Sequence, residues 1–385
     1  MKIFIIFCHL PEKEQQFSTY ERATRDRFLT NILNKNNYDV SLCFLTHQKK
    51  CFVLNNDSSK PIFFPIDESC KNKQRKLYTS ELLAKKLLLE KPDLVIFKGM
   101  GYILPYFLYK KGCLPKKVAF IIGGNDKDIL LPVSSYIFTE FQYQNNFFLR
   151  KNIACSVLNK FLDYSDFLEN DNKIYDIISI GDLSSRKNHT LLFPLGKKYS
   201  IIIIGDGPLK KEYEEIIKSQ KLNIILTGKI PRTEIPKYIS QSRLMVHPSK
   251  SEGFPRSFAE AFACGVPVVA LNKAIKEKSF NNIAGRLIED KNIATEVEYI
   301  LSNNEIINNY SKNAQLIAKN NFTSDIVAKQ FLNSIREIEK LKPINIYSTK
   351  YKMILTIRYY LWLIDLIAYQ IYKSLKNQIW SFIKK

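Results

Sequence analysis

Acidic residues are scarce in this 385-residue chain, where 37 of them stand against 58 lysines and arginines for a net charge of +21. That imbalance argues against a protein with no charged partner. It implies a polyanion: nucleic acid, an anionic membrane surface or phosphate-bearing substrates. The basic residues are spread along the chain with no nucleic-acid reading motif among them, so no nucleic-acid partner is expected. A C-x-x-C pair is also missing. The seven cysteines, at 8, 43, 51, 70, 113, 155 and 264, are scattered, which fits a reduced, cytoplasmic setting. The chain does not open on a long apolar run either. Residues 1–7 are too short for a signal sequence and Pro11-Glu12-Lys13-Glu14 follows at once, so they read as a first buried strand. There is no short internal repeat.

What the chain does have is length for two domains, an ordinary hydrophobic content of 45%, and an alternation of strand and helix patterns. Strands are expected over residues 3–7, 40–45, 94–97 and 118–122, with helices near 20–33 and 77–89. A second series covers 177–180, 201–204, 224–226, 244–246 and 266–271. Such alternation marks parallel sheets covered on both faces. A polar linker near 165–174 divides the chain into two Rossmann-like halves, and ligands in such sheets bind at the carboxyl ends of the strands. Residues 292–340 look helical.

The densest stretch is Ser251-Glu252-Gly253-Phe254-Pro255-Arg256-Ser257-Phe258-Ala259-Glu260-Ala261-Phe262-Ala263-Cys264-Gly265-Val266-Pro267-Val268-Val269-Ala270. Phe258, Ala261 and Phe262 recur at helical spacing, so a helix is expected to begin near Pro255, where a missing N–H costs nothing. Glu252 then falls just before the helix and Glu260 about two turns into it, with first-turn N–H groups facing any anion bound there. Two solvated acids near a helix start, the first favoured by the helix dipole, are the plain alternative. A second constellation, Gly181-Asp182-Leu183-Ser184-Ser185-Arg186-Lys187-Asn188-His189, follows a strand and is expected to open a helix, which sets Arg186 and Lys187 beside unsatisfied N–H donors. Gly205-Asp206-Gly207-Pro208-Leu209 and Thr227-Gly228-Lys229-Ile230-Pro231 are glycine turns after strands. His247-Pro248-Ser249 ends a strand just before Glu252.

The first of these stretches resembles the E-x7-E signature of retaining glycosyltransferases of family 4, E-G-F-G-x-x-x-x-E-A-x-A-x-G-x-P-V-V, with Pro255 where Gly is commonest. The resemblance implies an α/β fold of GT-B type, two Rossmann-like domains facing a central cleft. It also implies that Glu252 contacts donor-sugar hydroxyls and Glu260 the nucleotide ribose, with Gly253, Phe254 and Pro255 bordering the donor. The loop from Gly181 is similar to the family's G-R-L-x-x-x-K loop. Lys187 falls on its diphosphate-binding Lys, Asp182 replaces its usual Arg, and Arg186 is the nearest substitute. Gly205, Gly207, Gly228 and His247 fall on or beside loops that line the nucleotide site.

The first half resembles the family only in pattern. Cys8-His9-Leu10-Pro11-Glu12 stands where a glycine-rich loop is common, and Gly123-Gly124-Asn125-Asp126 where many members carry a His, so Asn125 or Asp126 faces the sugar or the segment is a plain turn. Asp126-Lys127-Asp128 has the D-x-D spacing of metal-dependent transferases but lies in the wrong half, and is read as coincidence. Tyr20, Arg22, Arg25 and Arg27 suit an anionic acceptor or a solvated helix face. The expected organisation is an acceptor-binding domain over 1–165, a donor-binding domain over 175–322, a helix over 323–341 returning toward the first domain, and a tail over 342–385.

That tail carries eight basic residues (Lys342, Lys350, Lys352, Arg358, Lys373, Lys376, Lys384 and Lys385) against Asp365. Two charges within its apolar middle argue against a spanning helix and for an amphipathic helix on an anionic membrane, with Trp362 and Trp380 at headgroup level. Packing on the protein itself is the alternative. The resemblance as a whole implies a metal-independent, retaining transferase without a cofactor. It would move a hexose or N-acetylhexosamine from a nucleoside diphosphate sugar, UDP- favoured over GDP-, to a surface-glycan or lipid-linked acceptor on the inner face of a bacterial inner membrane. A non-catalytic subunit that binds donor or glycan is the other reading.

Overall fold

The computed structural model describes residues 1–11, 20, 23–70, 73–123, 127–162, 167 and 172–383, with side chains up to residue 375. They form two units, Met1–Thr139 with Gln144–Ser156 and Leu332–Lys385, and Glu140–Tyr143 with Val157–Phe331.

The first unit is built on strands β1 Lys2–Phe7, β2 Asp39–Thr46, β3 Phe52–Val53, β4 Ile62–Pro65, β5 Leu94–Lys98, β6 Lys117–Ile121, β7 Tyr136–Thr139 and β8 Cys155–Val157. They lie in the order β3-β4-β2-β1-β5-β6-β7-β8. Pairing is parallel from β4 through β7, and β3 runs antiparallel to β4. Runs such as Leu94-Val95-Ile96-Phe97 are apolar throughout because both faces of a parallel sheet are covered. Helices Thr24–Lys35, Glu81–Glu90 and Ile103–Lys110 do the covering. Ser80 caps the second by accepting from Leu83 N, and Lys91 closes it in the left-handed region at φ 45°. Pro105 sits in the first turn of the third, where its missing N–H has no intrahelical partner to lose.

The second unit carries β9 Tyr175–Ile180, β10 Ile201–Ile204, β11 Ile224–Gly228, β12 Ser242–His247, β13 Val268–Leu271 and β14 Gly285–Ile288. Their order is β11-β10-β9-β12-β13-β14, all parallel. The helix that opens after the densest motif runs Arg256–Ala263, with Pro255 as its extended N-cap residue. It is held by an aromatic cluster in which Phe258 meets Phe280 edge-on at 5.5 Å and Phe254 meets Phe258 at 5.6 Å, contacts worth about 1 kcal/mol each beyond their buried area.

Three expectations shift. The chain enters the second unit at Val157 rather than after 165, because Asn159 N bonds Gln330 Oε1 and Lys160 pairs with Glu140 at 2.8 Å inside that unit. Most of the expected linker lies outside the described residues. The tail helix begins at Thr349 and runs 35 residues to Ile383. Trp362, expected at headgroup level, instead packs with Tyr351 and Tyr359 against the core of the first unit, where Leu355 is fully buried. Arg358 is drawn inward too, donating to Asp128 O at 2.6 Å and Ile129 O at 3.1 Å.

Candidate active site

Strand order reverses at β9, which has β10 on one side and β12 on the other, so the loops leaving β9 and β12 diverge from adjacent carboxyl ends. Such a switch point is where open parallel sheets take ligands. The loop after β9 carries Asp182, Arg186 and Lys187. The loop after β12 carries Ser249 and Glu252. Glycines let the strand ends approach: Gly181 N donates to Ile204 O at 3.0 Å and Gly205 N to Gly228 O at 3.0 Å. A Cβ on Gly205, at φ +151°, would stand 1.9 Å from Gly181 O, and one on Gly181 would meet the Lys187 stem at 2.9 Å. Lys187 is therefore laid across Gly181 and aimed along the strand ends. A Cβ on Gly207 would stand 2.5 Å from Leu183 O.

One carboxylate oxygen gathers the charges. Glu252 Oε1 accepts from Arg186 Nη1 at 2.6 Å, from Lys187 Nζ at 2.6 Å and from Ser249 Oγ at 3.3 Å. The backbone stitches the same two loops, since Lys250 N donates to Arg186 O at 2.9 Å. Burial works to raise the Glu252 carboxyl, and the neighbouring His247, Lys187 and Arg186 outweigh it and hold it far below the usual carboxylate range. His247 itself is 2% exposed, with Nε2 3.9 Å from Glu252 Oε1 and its ring edge-on to Phe258. Burial lowers its pKa and favours the neutral imidazole. A second buried imidazole, His189, bonds Ser179 Oγ through Nδ1 at 3.2 Å and is pushed down to about 4 by burial and then by the charges of His247 and Lys187.

The expected helix after Lys187 is a 3-10 segment, His189–Lys197, entered through left-handed Asn188. Arg186 and Lys187 are thus answered by the Glu252 carboxylate and not by α-helix N–H groups, because nine residues with Pro194 inside do not sustain an α-helical turn. Asp182 accepts from Ser184 Oγ at 2.7 Å and pairs with Arg186 Nη2 at 3.4 Å. It is a brace on the loop.

Glu260, 6% exposed, holds a matching pair of cations: Arg256 Nε at 3.0 Å and Arg232 Nη2 at 3.3 Å. Neither arginine was singled out from sequence, though Arg256 stands four residues before Glu260 and Arg232 four after Gly228. Phe254, expected to border a donor, is half-buried: its ring packs on Phe258, Phe262, Phe280 and Phe322 and also lines a cavity of about 310 Å³. Gly253 is fixed by packing, because a Cβ there would stand 2.6 Å from the Phe141 ring.

The candidates in the first unit are spoken for structurally. Tyr20 donates to Asp57, Arg27 pairs with Asp57 at 2.9 Å and lies over the Tyr20 ring, and buried Arg25 stands 3.8 Å from Asp26. Asp128 is buried, accepts from Gly101 N and Leu130 N at 2.9 Å each, and is pushed up to about 6 by burial. Glu12, Arg22, Gly124, Asn125 and Asp126 lie outside the described residues. Among the described residues no three acids, histidines or cysteines converge as a metal site.

Residues 163–317 match the family model described as Glycosyl transferases group 1. An uncharacterized glycosyltransferase of Methanocaldococcus jannaschii is 27% identical over 206 residues, 52% of this chain and 56% of that protein. One of Haemophilus influenzae is 24% identical over 321 residues, 76% of this chain and 89% of that protein. The amylovoran biosynthesis glycosyltransferase AmsD of Erwinia amylovora is 25% identical over 273 residues, 63% and 75% of the two chains. The chain therefore spans about half the length of the first of these relatives and most of the other two. The crystal structure of Anabaena HepE in complex with UDP aligns at TM-score 0.65 and 17% identity, covering 88% of this chain and 100% of that one. Two Rossmann-like sheets give this chain the GT-B fold, and its residues 163–317 are similar to the glycosyl transferases group 1 family.

Proposed function

We propose that this chain is a retaining glycosyltransferase that moves a hexose or N-acetylhexosamine from a nucleoside diphosphate sugar, UDP- rather than GDP-, to a hydroxyl of a surface-glycan acceptor such as lipopolysaccharide, capsule or a lipid-linked oligosaccharide. The observation that carries this is the meeting of Arg186 and Lys187 with Glu252 at the switch point of the second sheet. When the anomeric carbon–oxygen bond breaks, its electron pair goes to the diphosphate, and two preorganised cations stabilise the charge that develops there. Because that charge is met by side chains, the transfer needs no metal ion and no cofactor. Glu252 exchanges its cations for donor-sugar hydroxyls as the diphosphate arrives, and Glu260, oriented by Arg256 and Arg232, takes the ribose hydroxyls. Gly181, Gly205, Gly207 and Gly228 let the loops that border the nucleotide draw together.

Support for the donor comes from the HepE structure, described as a UDP complex, and support for a polysaccharide pathway from the name of AmsD. The net charge of +21 and the basic, apolar tail favour a cytoplasmic enzyme held on the inner face of the membrane through residues 342–385. A panel of UDP- and GDP-sugars tests the reading by thermal stabilisation, followed by turnover with and without EDTA. Selective stabilisation by one UDP-sugar and undiminished transfer in EDTA are expected; a strict metal requirement overturns the mechanism. The pairing of Asp182 with Arg186 favours a second reading, a binding subunit without turnover, which donor binding with no product would establish.

A further inference from the structure

The tail helix carries apolar residues on two opposite faces. Tyr351, Leu355, Tyr359, Trp362 and Leu366 recur every three or four positions and face the first unit, where Leu355 and Leu366 are buried. Met353, Ile357, Ile364, Ile371 and Leu375 recur on the other side, each more than half exposed. That outward stripe runs 23 residues from Met353 to Leu375, about 33 Å at the rise of an α-helix. Nothing among the described residues covers it. A helix apolar on both sides is normally buried, and this one satisfies only one of them. Thr349–Leu375 is long and apolar enough to cross a bilayer. The docked inner face argues against crossing: a spanning segment would have to strip Leu355 and Trp362 from the core and carry Arg358, now bonded to two backbone carbonyls, into lipid.

Beside the middle of the same helix lies a cavity of about 310 Å³ whose walls include Lys127, Lys151, Arg358 and Trp362, with Leu361 at the edge of the outward stripe. Lys151 Nζ stands 4.1 Å over the Phe147 ring, which holds the ammonium at the cavity wall by a cation–π contact. Two acids also line the cavity. Asp128 is committed to the N–H groups of Gly101 and Leu130, and Asp365 sits exposed on the helix. Cations grouped beside an aromatic ring, continuous with a long apolar stripe, match an amphiphile with an anionic head.

We propose that this cavity takes the phosphate headgroup of an anionic phospholipid, with the acyl chains lying along the Met353–Leu375 stripe. This rests on the membrane reading above and adds to it a specific headgroup site and the orientation of the helix, outward stripe down and Trp362 at the pocket wall. The occupant is lipid because the stripe is too long for a headgroup alone to explain, and because the tail and the whole chain are strongly basic.

The test is cosedimentation of the full chain with phosphatidylcholine vesicles, with and without phosphatidylglycerol, at low salt. Wild type binds the anionic vesicles in preference. Lys127→Ala with Lys151→Ala loses roughly tenfold or more of that preference, at about a kcal/mol per lysine, whereas Lys218→Ala with Lys221→Ala, on the second unit, loses far less. Ile364→Asp with Ile371→Asp abolishes binding to both vesicle types. In a Trp380→Phe background, which leaves Trp362 as the sole tryptophan, emission shifts on anionic vesicles and not on neutral ones. Unchanged melting curves certify each variant as folded. If the pocket lysines cost no more than the control pair, the headgroup site is wrong and the membrane reading stands. If wild type ignores both vesicle types, the membrane reading falls and this proposal with it. A vesicle-independent dimer dissolved by Ile364→Asp means that a second copy covers the stripe, which also overturns the proposal.

Discussion

Both units place cations beside carboxylates, yet the two sets behave oppositely. In the first unit Arg27 and Tyr20 lock onto Asp57, whose carboxyl burial would raise but which donors from Ser59 and Tyr20, with the charge of Arg27, hold at about 2. Asp57 is tied as well to the backbone of Ser59, so the cluster fastens a loop. In the second unit Arg186 and Lys187 share a single oxygen of Glu252 at the ends of parallel strands, and Arg186 is half exposed. Asp57 gives one oxygen to Tyr20 and Arg27 and the other to Ser59, which anchors it to the backbone, whereas the Glu252 side chain meets its partners among the described residues through Oε1. The difference separates a structural ion pair from a poised one, and it is one of position in the sheet, not of residue type.

The strongest way to break this comparison is to remove the poised pair. Lys187→Ala and Glu252→Ala should each lower kcat/KM by about a hundredfold or more with the melting curve little changed, the scale expected when a group stabilising developing charge is lost. Full activity in either variant ends the assignment.

Next comes the buried imidazole beneath the cations. His189 binds its proton at about 4 in the folded chain, whereas an ordinary histidine does so near 6.5. As pH falls through that window the unfolded chain takes up the proton first, so the second unit should lose up to about 3 kcal/mol of stability between pH 6.5 and 4 and level off below. Urea unfolding across that range should show the slope, and His189→Asn should flatten it.

Glu252→Gln sharpens the contrast more finely. Losing the carboxylate charge frees Arg186 and Lys187 for a diphosphate, so calorimetry should find UDP bound roughly tenfold more tightly while transfer falls, about 1.4 kcal/mol in favour of the ligand. Weaker UDP binding would mean that Glu252 is not the exchangeable counter-ion. Arg27→Ala, the structural counterpart, should cost about 1 kcal/mol of stability and leave the donor KM where it was. Smallest of all, Asp182→Ala should change kcat/KM only a few-fold, because a brace that cannot supply positive charge contributes only loop order.

Most of the second sheet was legible because its strands are short, uninterrupted apolar runs followed by glycine turns. Strands such as Tyr136–Thr139 and Gly285–Ile288 were not, since four residues flanked by polar segments leave no period to read. The helix Ile103–Lys110 is hidden by Pro105, which counts as a breaker along the sequence and is harmless in a first turn. Phe254 shows what a motif leaves unsaid: its place suggested a ligand contact, and only the tertiary structure shows its ring packed on four other phenylalanines while still lining a cavity.

By itself the sequence determined where the chain turns and which acids and cations stand beside those turns, because a glycine, a proline and two glutamates at fixed spacing are local facts that any fold must honour. Only the tertiary structure decided what those residues touch. Lys187 and Glu252 are 65 positions apart and meet at 2.6 Å because β9 and β12 are neighbours in one parallel sheet, a pairing set by the burial of both strands. The same holds for the tail. Its composition marked it as apolar and basic, but which face turns inward was settled by the core that Leu355 and Trp362 help to close. Packing is a property of partners, and a helix read alone has none.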